Sequence, residues 1–254
     1  MTDRYYINHV GVSITDLPKT IKSIQEHIEK GSTTEYICVT NVRAAYIGNH
    51  DSNYCKILNN SFLTIPDGKP LEWFAHFAGF DNVKKTSGPD LFKAICEVSR
   101  DKGYSHYFYG SSPDVINKMT SNLKNKYPGI KILGSVSPPF KSAHELVTDE
   151  LINDINKENP TFLWVGLGAP KQEIFIDIIR KKIKKSILIG IGLVFEYEAG
   201  TVYRSPQWVS DMGFEWLYIW FQQPKKIIRS YKYFPYFILL LIKARVAYFS
   251  KKII

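Results

Sequence analysis

The stretch TFLWVGLGAPKQE, residues 161–173, gives the strongest indication of the fold. It opens with an apolar run of the length of a buried strand, and Gly166 to Pro170 then predict a turn that opens a helix through Ile183. The two glycines would let backbone N–H groups approach an anion, and the helix N-terminus and Lys171 would add positive potential. A plain strand-to-helix turn with Pro170 at the first helical position explains these residues as well as anion binding does.

The pattern of a strand followed by a helix repeats on both sides of this stretch. We predict strands near residues 36–39, 61–65, 104–109, 131–136, 161–165 and 186–191, with helices between most of them. These helices include one helical stretch from about Val42 and one helix around Ala143 to Asn156. Such alternation is typical of an α/β fold with a doubly wound, mostly parallel sheet. We therefore expect a Rossmann-like α/β domain in residues 1–200, followed by a helical appendage in residues 201–254.

The predicted strands end in residues that could carry chemistry, because ligands of open α/β sheets bind beyond the carboxyl ends of the strands. Asp67, in IPDGKP (65–70), would suit a general base towards a bound hydroxyl group, although the local sequence favours an ordinary turn or N-cap residue. Gly110-Ser111 could hold a phosphate or a ribose, and Thr40-Asn41 could hydrogen-bond a sugar. Simple helix caps or turns account for both pairs as well.

The positive charge of the chain is concentrated at its C-terminal end. The 254 residues include 33 Lys and Arg and 24 Asp and Glu, for a net charge of +9. Eight of the basic residues and no acidic residue lie in 222–254, which leaves 25 basic against 24 acidic residues in the body. Aromatic residues interleave with these cations, which suits an anionic phospholipid surface and, as an alternative, single-stranded nucleic acid.

Cysteine and apolar patterns indicate the compartment. Cys38, Cys55 and Cys96 are far apart and odd in number, which fits free thiols in a reducing cytosol. The polar N-terminus lacks the apolar core of a signal peptide. The run from Tyr233 to Ile242 is about half of the roughly 20 residues that a membrane-spanning helix needs, so we expect a helix that lies in the membrane interface. The scattered histidines predict no metal site, and we expect no cofactor.

Eight motifs in order resemble those of the WecG/TagA/CpsF family of bacterial glycosyltransferases, glycosyltransferase family 26. The resemblance extends from about Ile7 to Tyr231. Its motifs are TNVRAAYIG (40–48), IPDGKPLEW (65–73), SGPDL (87–91), FYGSSPDV (108–115), GSVSPPF (134–140), VGLGAPKQE (165–173), GIGLVFEYEAGTVYRSPQW (190–208) and GFEWLYIWFQQP (213–224).

The resemblance implies a glycosyltransferase that binds a UDP-sugar and an acceptor on a polyprenyl diphosphate at the inner face of the cytoplasmic membrane. It implies inversion at the anomeric carbon without a metal, with Asp67 as the catalytic aspartate and Thr40 and Asn41 beside it. The family glutamine after the glycine-rich loop falls on Gln172, and a family arginine falls on Lys85, which keeps the charge but loses the planar fork. The appendage is expected to associate with the membrane and to help close the site.

The residues expected to bind the substrates lie at strand ends or beside the expected diphosphate, and they are Gly110, Ser111, Gly166, Gly168, Lys171, Gln172, Glu173, Lys85, Arg204 and Arg229. Ile219 stands where the family has an arginine that helps to meet the diphosphate, so we expect Arg229 to take that role. The family implies N-acetylmannosamine, its uronic acid or glucose as the transferred sugar.

Two other functions fit parts of the sequence. A nucleotide-binding α/β protein without transferase activity would keep the glycine-rich loops, and the departures at Lys85 and Ile219 leave room for it. A nucleic-acid-binding protein would use the basic aromatic tail and would bind single strands with a steep salt dependence. The nearly neutral body and the strand-end motifs do not require nucleic acid, so we expect no nucleic-acid partner.

Overall fold

The computed structural model describes residues 3–31, 33–222 and 233–252. The strands are β1 (Arg4–Ile7), β2 (Val10–Ser13), β3 (Glu35–Thr40), β4 (Leu63–Pro66), β5 (Ser105–Gly110), β6 (Lys131–Val136), β7 (Phe162–Gly166) and β8 (Ile187–Gly190). The helices are α1 (Leu17–Glu29), α2 (Val42–His50), α3 (Ser52–Asn59), α4 (Lys69–Phe77), α5 (Gly88–Lys102), α6 (Pro113–Lys126), α7 (Asp149–Glu158), α8 (Lys171–Ile179), α9 (Val194–Glu198), α10 (Gln207–Asp211), α11 (Glu215–Gln222) and α12 (Tyr233–Lys252).

The central element is a six-stranded sheet in the order β4-β3-β8-β7-β5-β6, in which every neighbouring pair is parallel. This arrangement confirms the predicted doubly wound α/β fold. The inner strands are apolar almost throughout because helices cover both faces of the sheet. Alternate side chains of β7 show this, since Leu163 and Val165 pack into one core cluster while Phe162 and Trp164 pack into the other.

The two core clusters lie on opposite faces of the sheet. One holds side chains from α2, α3, α4, α7, α8 and α12, and the other holds side chains from α1, α5, α6 and α9. Helices therefore leave β3 and β7 towards one face and the neighbouring strands β8 and β5 towards the other, which opens a crevice at the carboxyl edge of the sheet. Short polar residues cap α1, α2, α3, α5, α6 and α7, as when the Asp16 carboxylate accepts a hydrogen bond from the backbone N–H of Lys19.

Several predicted boundaries differ from the observed ones. The N-terminal segment, read as polar, forms the antiparallel pair β1-β2, and the helical stretch from Val42 is two helices because Asp51 ends α2 and caps α3. The helix expected from Ala143 begins at Asp149, because Ser142 and Glu145 close a separate turn with each other. The helix expected to reach Ile183 ends at Ile179.

The appendage packs onto the α/β body through its last helix. Phe237 and Leu240 of α12 are buried in the cluster that contains α2 and α4, and the Phe237 and Phe74 rings lie 6.4 Å apart between centroids. Within the described ranges, no helix is long and apolar enough to cross a membrane. Arg229 lies outside the described residues. The domain boundary expected near residue 200 stays a prediction.

Candidate active site

The predicted motifs meet at the carboxyl edge of the sheet. Thr40 ends β3 opposite Pro66 of β4, and Gly110 ends β5 opposite Gly166 of β7. Gly190 ends β8 between β3 and β7. Residues separated by up to 150 positions in the sequence therefore line one crevice, as parallel strands require.

Asp67 follows β4, the outermost strand of the sheet, and backbone contacts hold it at the carboxyl edge. Its N–H donates to the carbonyl oxygen of Thr40 at 2.8 Å, and the N–H of Thr86 donates to the carbonyl oxygen of Pro66 at 2.8 Å. Gly68, with a φ of 90°, occupies the N-cap position of α4 and supplies no side-chain cap. Asp67 is therefore not the cap of α4, and its carboxylate accepts hydrogen bonds from the backbone N–H of Gly88 and from the side chain of Asn41.

The surroundings of Asp67 favour its protonated form. Burial is the largest cause and raises the pKa of Asp67 to about 7, with a further contribution from the negative charge of Glu215. The Gly88 N–H, the Asn41 side chain and the positive charge of Lys85 act in the opposite direction. A carboxyl group that exchanges a proton near neutral pH in a cleft is suited to general-base chemistry.

Thr40 and Asn41 flank this carboxylate. The Thr40 side chain is fully buried, and within the described ranges its hydroxyl oxygen has no hydrogen-bond partner. Leaving a buried hydroxyl group unpaired costs about 1–3 kcal/mol, a cost that a bound ligand would remove. Asn41 caps α2, where its Oδ1 accepts from the N–H of Ala44 at 3.1 Å, and this leaves its NH₂ group to donate to Asp67.

The two glycine-rich loops are in direct contact. The N–H of Ser111 donates to the carbonyl oxygen of Gly166 at 3.1 Å, and a Cβ atom on Gly110 would lie only 2.5 Å from that oxygen. The Ser111 hydroxyl group donates to Oε1 of Glu196 at 3.2 Å. Gly168 has a φ of 77°, and no described atom lies within 4 Å of the position that its Cβ would take. Open space therefore borders the β7–α8 loop.

Gln172 links two loops at this edge. Its Oε1 accepts from the N–H groups of Gly168 and Gly192, each at 3.1 Å, and its Nε2 donates to Oε1 of Glu173 at 2.8 Å. The side chain is buried, and its amide fixes the β7–α8 loop against the segment after β8. The contact of Gln172 with a sugar, expected from the resemblance, stays a prediction.

Glu173 lies below the loop, where it is almost completely buried. Burial raises the pKa of this carboxyl group, and the Gln172 side chain, the Tyr54 hydroxyl and the Arg43 guanidinium oppose that rise. Burial raises the pKa of the Cys38 thiol in the central sheet, and the nearby Glu173 raises it further. These neighbours place Glu173 among α2, α3, α8 and the sheet.

The predicted cations have different surroundings. Lys85 is nearly buried, and its Nζ donates to Oγ of Ser210 at 2.7 Å and lies 3.7 Å from Asp211. Arg204 pairs with Asp90 at 2.7 Å, at the start of α5.

Lys171 stands at the first position of α8, and its Nζ lies 5.2 Å from the centre of the exposed Phe140 ring. The fourth predicted cation, Arg229, is outside the described ranges.

Other residues of this region were not singled out from the sequence. Glu215 begins α11 and raises the pKa of Asp67, and Tyr197 of α9 has both Glu215 and Asp67 among its electrostatic neighbours. Glu215 stands within the quoted motif GFEWLYIWFQQP, but no local pattern assigns it a role. Among residues 3–31, 33–222 and 233–252, no three His, Cys, Asp or Glu side chains converge in the manner of a metal site.

Comparison with known proteins relates this geometry to a family. The family model described as Glycosyl transferase WecG/TagA/CpsF family matches residues 5–251. A protein of Bacillus subtilis (strain 168) named N-acetylglucosaminyldiphosphoundecaprenol N-acetyl-beta-D-mannosaminyltransferase is 28% identical over 212 residues, which cover 84% of this chain and 81% of that protein.

A protein of the same name from Bacillus spizizenii (strain ATCC 23059 / NRRL B-14472 / W23) is 24% identical over 212 residues, which cover 84% of this chain and 80% of that protein. The strand-end motifs, the parallel sheet that brings them together and the match along nearly the whole chain agree with one another. The chain belongs to the WecG/TagA/CpsF family of glycosyl transferases.

Proposed function

We propose that this glycosyltransferase moves an N-acetylmannosamine residue from a UDP-sugar to N-acetylglucosamine carried on undecaprenyl diphosphate, with inversion and without a metal. The names of the two Bacillus relatives support the acceptor and the transferred sugar. The family resemblance supports the UDP-sugar donor and the metal-independent, inverting route. N-acetylmannosaminuronic acid and glucose are the alternative sugars.

The observation that carries the proposal is the position of Asp67. Its carboxyl group lies at the carboxyl edge of the sheet with a pKa raised to about 7, and it is oriented by the Gly88 N–H and the Asn41 side chain. A base of this strength takes a proton from a hydroxyl group most effectively as that hydroxyl group attacks. The unpaired hydroxyl group of Thr40 lies on the neighbouring strand end and would hydrogen-bond a sugar there.

The reaction that we propose has one displacement step. The acceptor hydroxyl oxygen forms a bond to the anomeric carbon on the face opposite UDP, while its proton passes to Asp67. The bond between the anomeric carbon and the UDP oxygen breaks, and UDP leaves with the bonding electron pair. Displacement from the opposite face inverts the anomeric centre, in agreement with the β-linked product in the relatives' names.

Charge on the departing UDP needs positive partners at the glycine-rich loops. We propose that the N-terminus of α8, Lys171 and the open space beside Gly168 receive the diphosphate. Lys85 and Arg204 already have carboxylate or hydroxyl neighbours, so their contribution to binding would be shared with those contacts. Ile219 stands where the family has an arginine, and we propose that Arg229 of the appendage takes the role of that arginine.

Asp67→Asn tests the role of the base. We expect transfer to fall about 10²- to 10⁴-fold, the usual contribution of a general base, while UDP binding is retained. Asp101→Asn is the matched control, because Asp101 is exposed near the end of α5, away from the carboxyl edge. Wild-type turnover by Asp67→Asn would contradict the role of Asp67.

The donor and the stereochemistry need a separate experiment. Purified enzyme is incubated with undecaprenyl-diphosphate-linked N-acetylglucosamine and each of the UDP-activated forms of N-acetylmannosamine, its uronic acid and glucose. Mass spectrometry identifies the product, and NMR of the new linkage gives its anomeric configuration. Equal turnover with a chelator present supports the metal-independent route, whereas loss of turnover that is restored by a divalent cation contradicts it.

The acceptor also requires contact with a membrane. The outer face of α12 carries exposed apolar side chains, namely Ile238, Leu239, Ile242 and Val246, and Lys243 is exposed among them. A helix with apolar side chains facing out and cations at its edges suits the interface of an anionic bilayer. We propose that the enzyme acts at the inner face of the cytoplasmic membrane, where the appendage anchors it and helps to close the site.

A further inference from the structure

A chain of polar contacts joins the appendage to the loop before α5. Nζ of Lys85 donates to Oγ of Ser210 at 2.7 Å, and Oγ of Ser210 donates to Oε2 of Glu215 at 2.9 Å. Lys85 and Ser210 are almost completely buried, and they are 125 positions apart in the sequence. Buried, charge-assisted hydrogen bonds of this length fix the position of the groups that they join.

The same loop is fixed on its other side by α4. The backbone N–H of Lys85 donates to Oε2 of Glu72 at 2.7 Å, and the other oxygen of Glu72 accepts from Nζ of Lys69 at 2.7 Å. Lys85 is therefore held through both its backbone and its side chain. Because Lys85 is fixed, its hydrogen bond also fixes Ser210. Ser210 in turn fixes Glu215.

Glu215, the last residue in this series of polar contacts, is an electrostatic neighbour of Asp67. The titratable or charged groups around Asp67 come from three elements: Glu215 from α11, Lys85 from the loop before α5, and Tyr197 from α9. Arg204 and Glu196 in turn face Tyr197. Of the groups around Asp67, Glu215 is the acidic neighbour that favours the protonated carboxyl group, whereas Lys85 opposes it.

Lys85 adjoins Thr86, whose backbone N–H donates to the carbonyl oxygen of Pro66, the residue before Asp67, at 2.8 Å. We propose that Glu215 is a positioning residue for the transfer reaction: seated on Lys85 through Ser210, it holds a negative charge of the appendage beside the segment that carries Asp67. The inference rests on the proposed function of Asp67. It adds that the base reaches its full strength only when α10 and α11 are docked. Binding of the appendage and proton transfer from the acceptor are then coupled through one contact.

Glu215→Gln tests this directly, because the amide keeps an oxygen for the Ser210 hydroxyl group and removes only the charge. The titration of Asp67 is followed by NMR in full-length protein labelled with ¹³C at the aspartate carboxyl carbons, and Asp67→Asn identifies the signal. We expect the midpoint to fall by about one pH unit, since a like charge has been removed. We expect the acidic limb of the pH profile of kcat/KM to move to lower pH by the same amount.

Glu150→Gln is the matched control, because it makes the same charge change on an exposed residue at the start of α7. We expect it to leave the Asp67 midpoint unchanged. Ser210→Ala keeps the charge of Glu215 but removes its attachment to Lys85. We therefore expect the Asp67 midpoint to fall, but by less than in Glu215→Gln. Ser210→Ala also provides the test if Glu215→Gln does not fold.

An unshifted Asp67 midpoint in folded Glu215→Gln would overturn the inference, as would a reduced rate with an unshifted pH profile, which is what a merely structural role predicts. The titration needs no substrate, so it stays informative if Asp67 is not the base. Turnover by Asp67→Asn would contradict the proposed function alone. A normal loss of activity in Asp67→Asn together with an unshifted midpoint in Glu215→Gln would contradict this inference alone.

Discussion

Asp67 shows how the surroundings of one side chain set its chemistry. The local sequence favours an ordinary turn residue, yet the side chain is half-buried and is bound by Asn41 and the Gly88 N–H. Desolvation penalises the charged form, so the group is protonated far above the ordinary range of an aspartate. An aspartate in the same motif but in an exposed turn would be ionised at neutral pH.

The pH dependence of the reaction follows from this carboxyl group. Because burial raises the pKa of Asp67 to about 7, the fraction of enzyme with an ionised base grows as the pH rises through 7. We expect kcat/KM to be about tenfold lower one pH unit below that midpoint and to level off above it. Rates measured from pH 5 to pH 9 check this, and a rate that stays constant down to pH 5 would contradict it.

Gly110 is needed for the contact between the two glycine-rich loops. A Cβ atom at this position would lie 2.5 Å from the carbonyl oxygen of Gly166, and the backbone φ of 139° is itself unfavourable for other residues. We expect Gly110→Ala to lower the free energy of unfolding by about 1–3 kcal/mol and to weaken UDP binding.

Gly129→Ala is the control for Gly110→Ala. Its φ is 89°, but no described atom lies within 4 Å of the added Cβ, so it introduces backbone strain without the clash. Denaturant unfolding and UDP titration of both variants separate the two effects. Equal UDP affinity in wild type and Gly110→Ala would show that the loop contact is not needed for binding.

The helix α12 presents different residues to the body and to the solvent. Phe237 is buried against α4, whereas Leu239, two residues on, has 59% of its surface exposed. A face that packs on the protein contributes to stability, and an exposed apolar face is available to a membrane. Substitutions two positions apart can therefore separate the two roles.

We expect Phe237→Ala to lower the free energy of unfolding by about 3 kcal/mol, because it leaves a cavity beneath α12. Leu239→Ala should leave stability unchanged and reduce binding to vesicles that contain anionic lipid. Thermal unfolding and vesicle co-sedimentation are measured for both variants. Full vesicle binding by Leu239→Ala combined with the same change at Ile242 would indicate that this face is not the membrane contact.

Across the whole molecule, charge and apolar surface are unevenly distributed. The body is nearly neutral, and the net charge of +9 belongs almost entirely to residues 222–254. Of the eight cations there, Lys243, Arg245, Lys251 and Lys252 lie within α12, and the Arg245 guanidinium lies near the Phe77 and Tyr248 rings. The positive end of the molecule thus also carries the exposed aliphatic side chains of α12.

This distribution predicts how salt affects membrane binding. Ionic screening shortens the reach of each charge from about 10 Å at 0.1 M salt to about 3 Å at 1 M, whereas apolar burial persists. We expect binding to anionic vesicles to weaken as salt is raised, and binding to neutral vesicles to be weaker throughout and nearly independent of salt. Equal binding to both kinds of vesicle at low salt would exclude an electrostatic contribution.

The strand and helix order was predictable because its signals are local. Apolar runs, helix caps such as Asp16 and glycine-rich turns act over a few residues, so the alternation and the strand-end position of Asp67 can be read directly. The hairpin β1-β2 was missed because its strands are only four residues each and the polar residues Asn8 and His9 separate them. The break at Asp51 was missed because the apolar pattern continues on both sides of it.

The amino-acid sequence was thus sufficient for the fold class, the family resemblance, the strand-end position of Asp67 and the polarity of charge along the chain. The tertiary structure was needed to show that Gln172 links two loops, that Lys85 is held by Ser210 and Glu72, and that Glu215 faces Asp67. The physical reason is distance along the chain. The burial of Asp67 and the charges that act on it depend on residues far away in sequence, such as Glu215, and only packing brings these residues together.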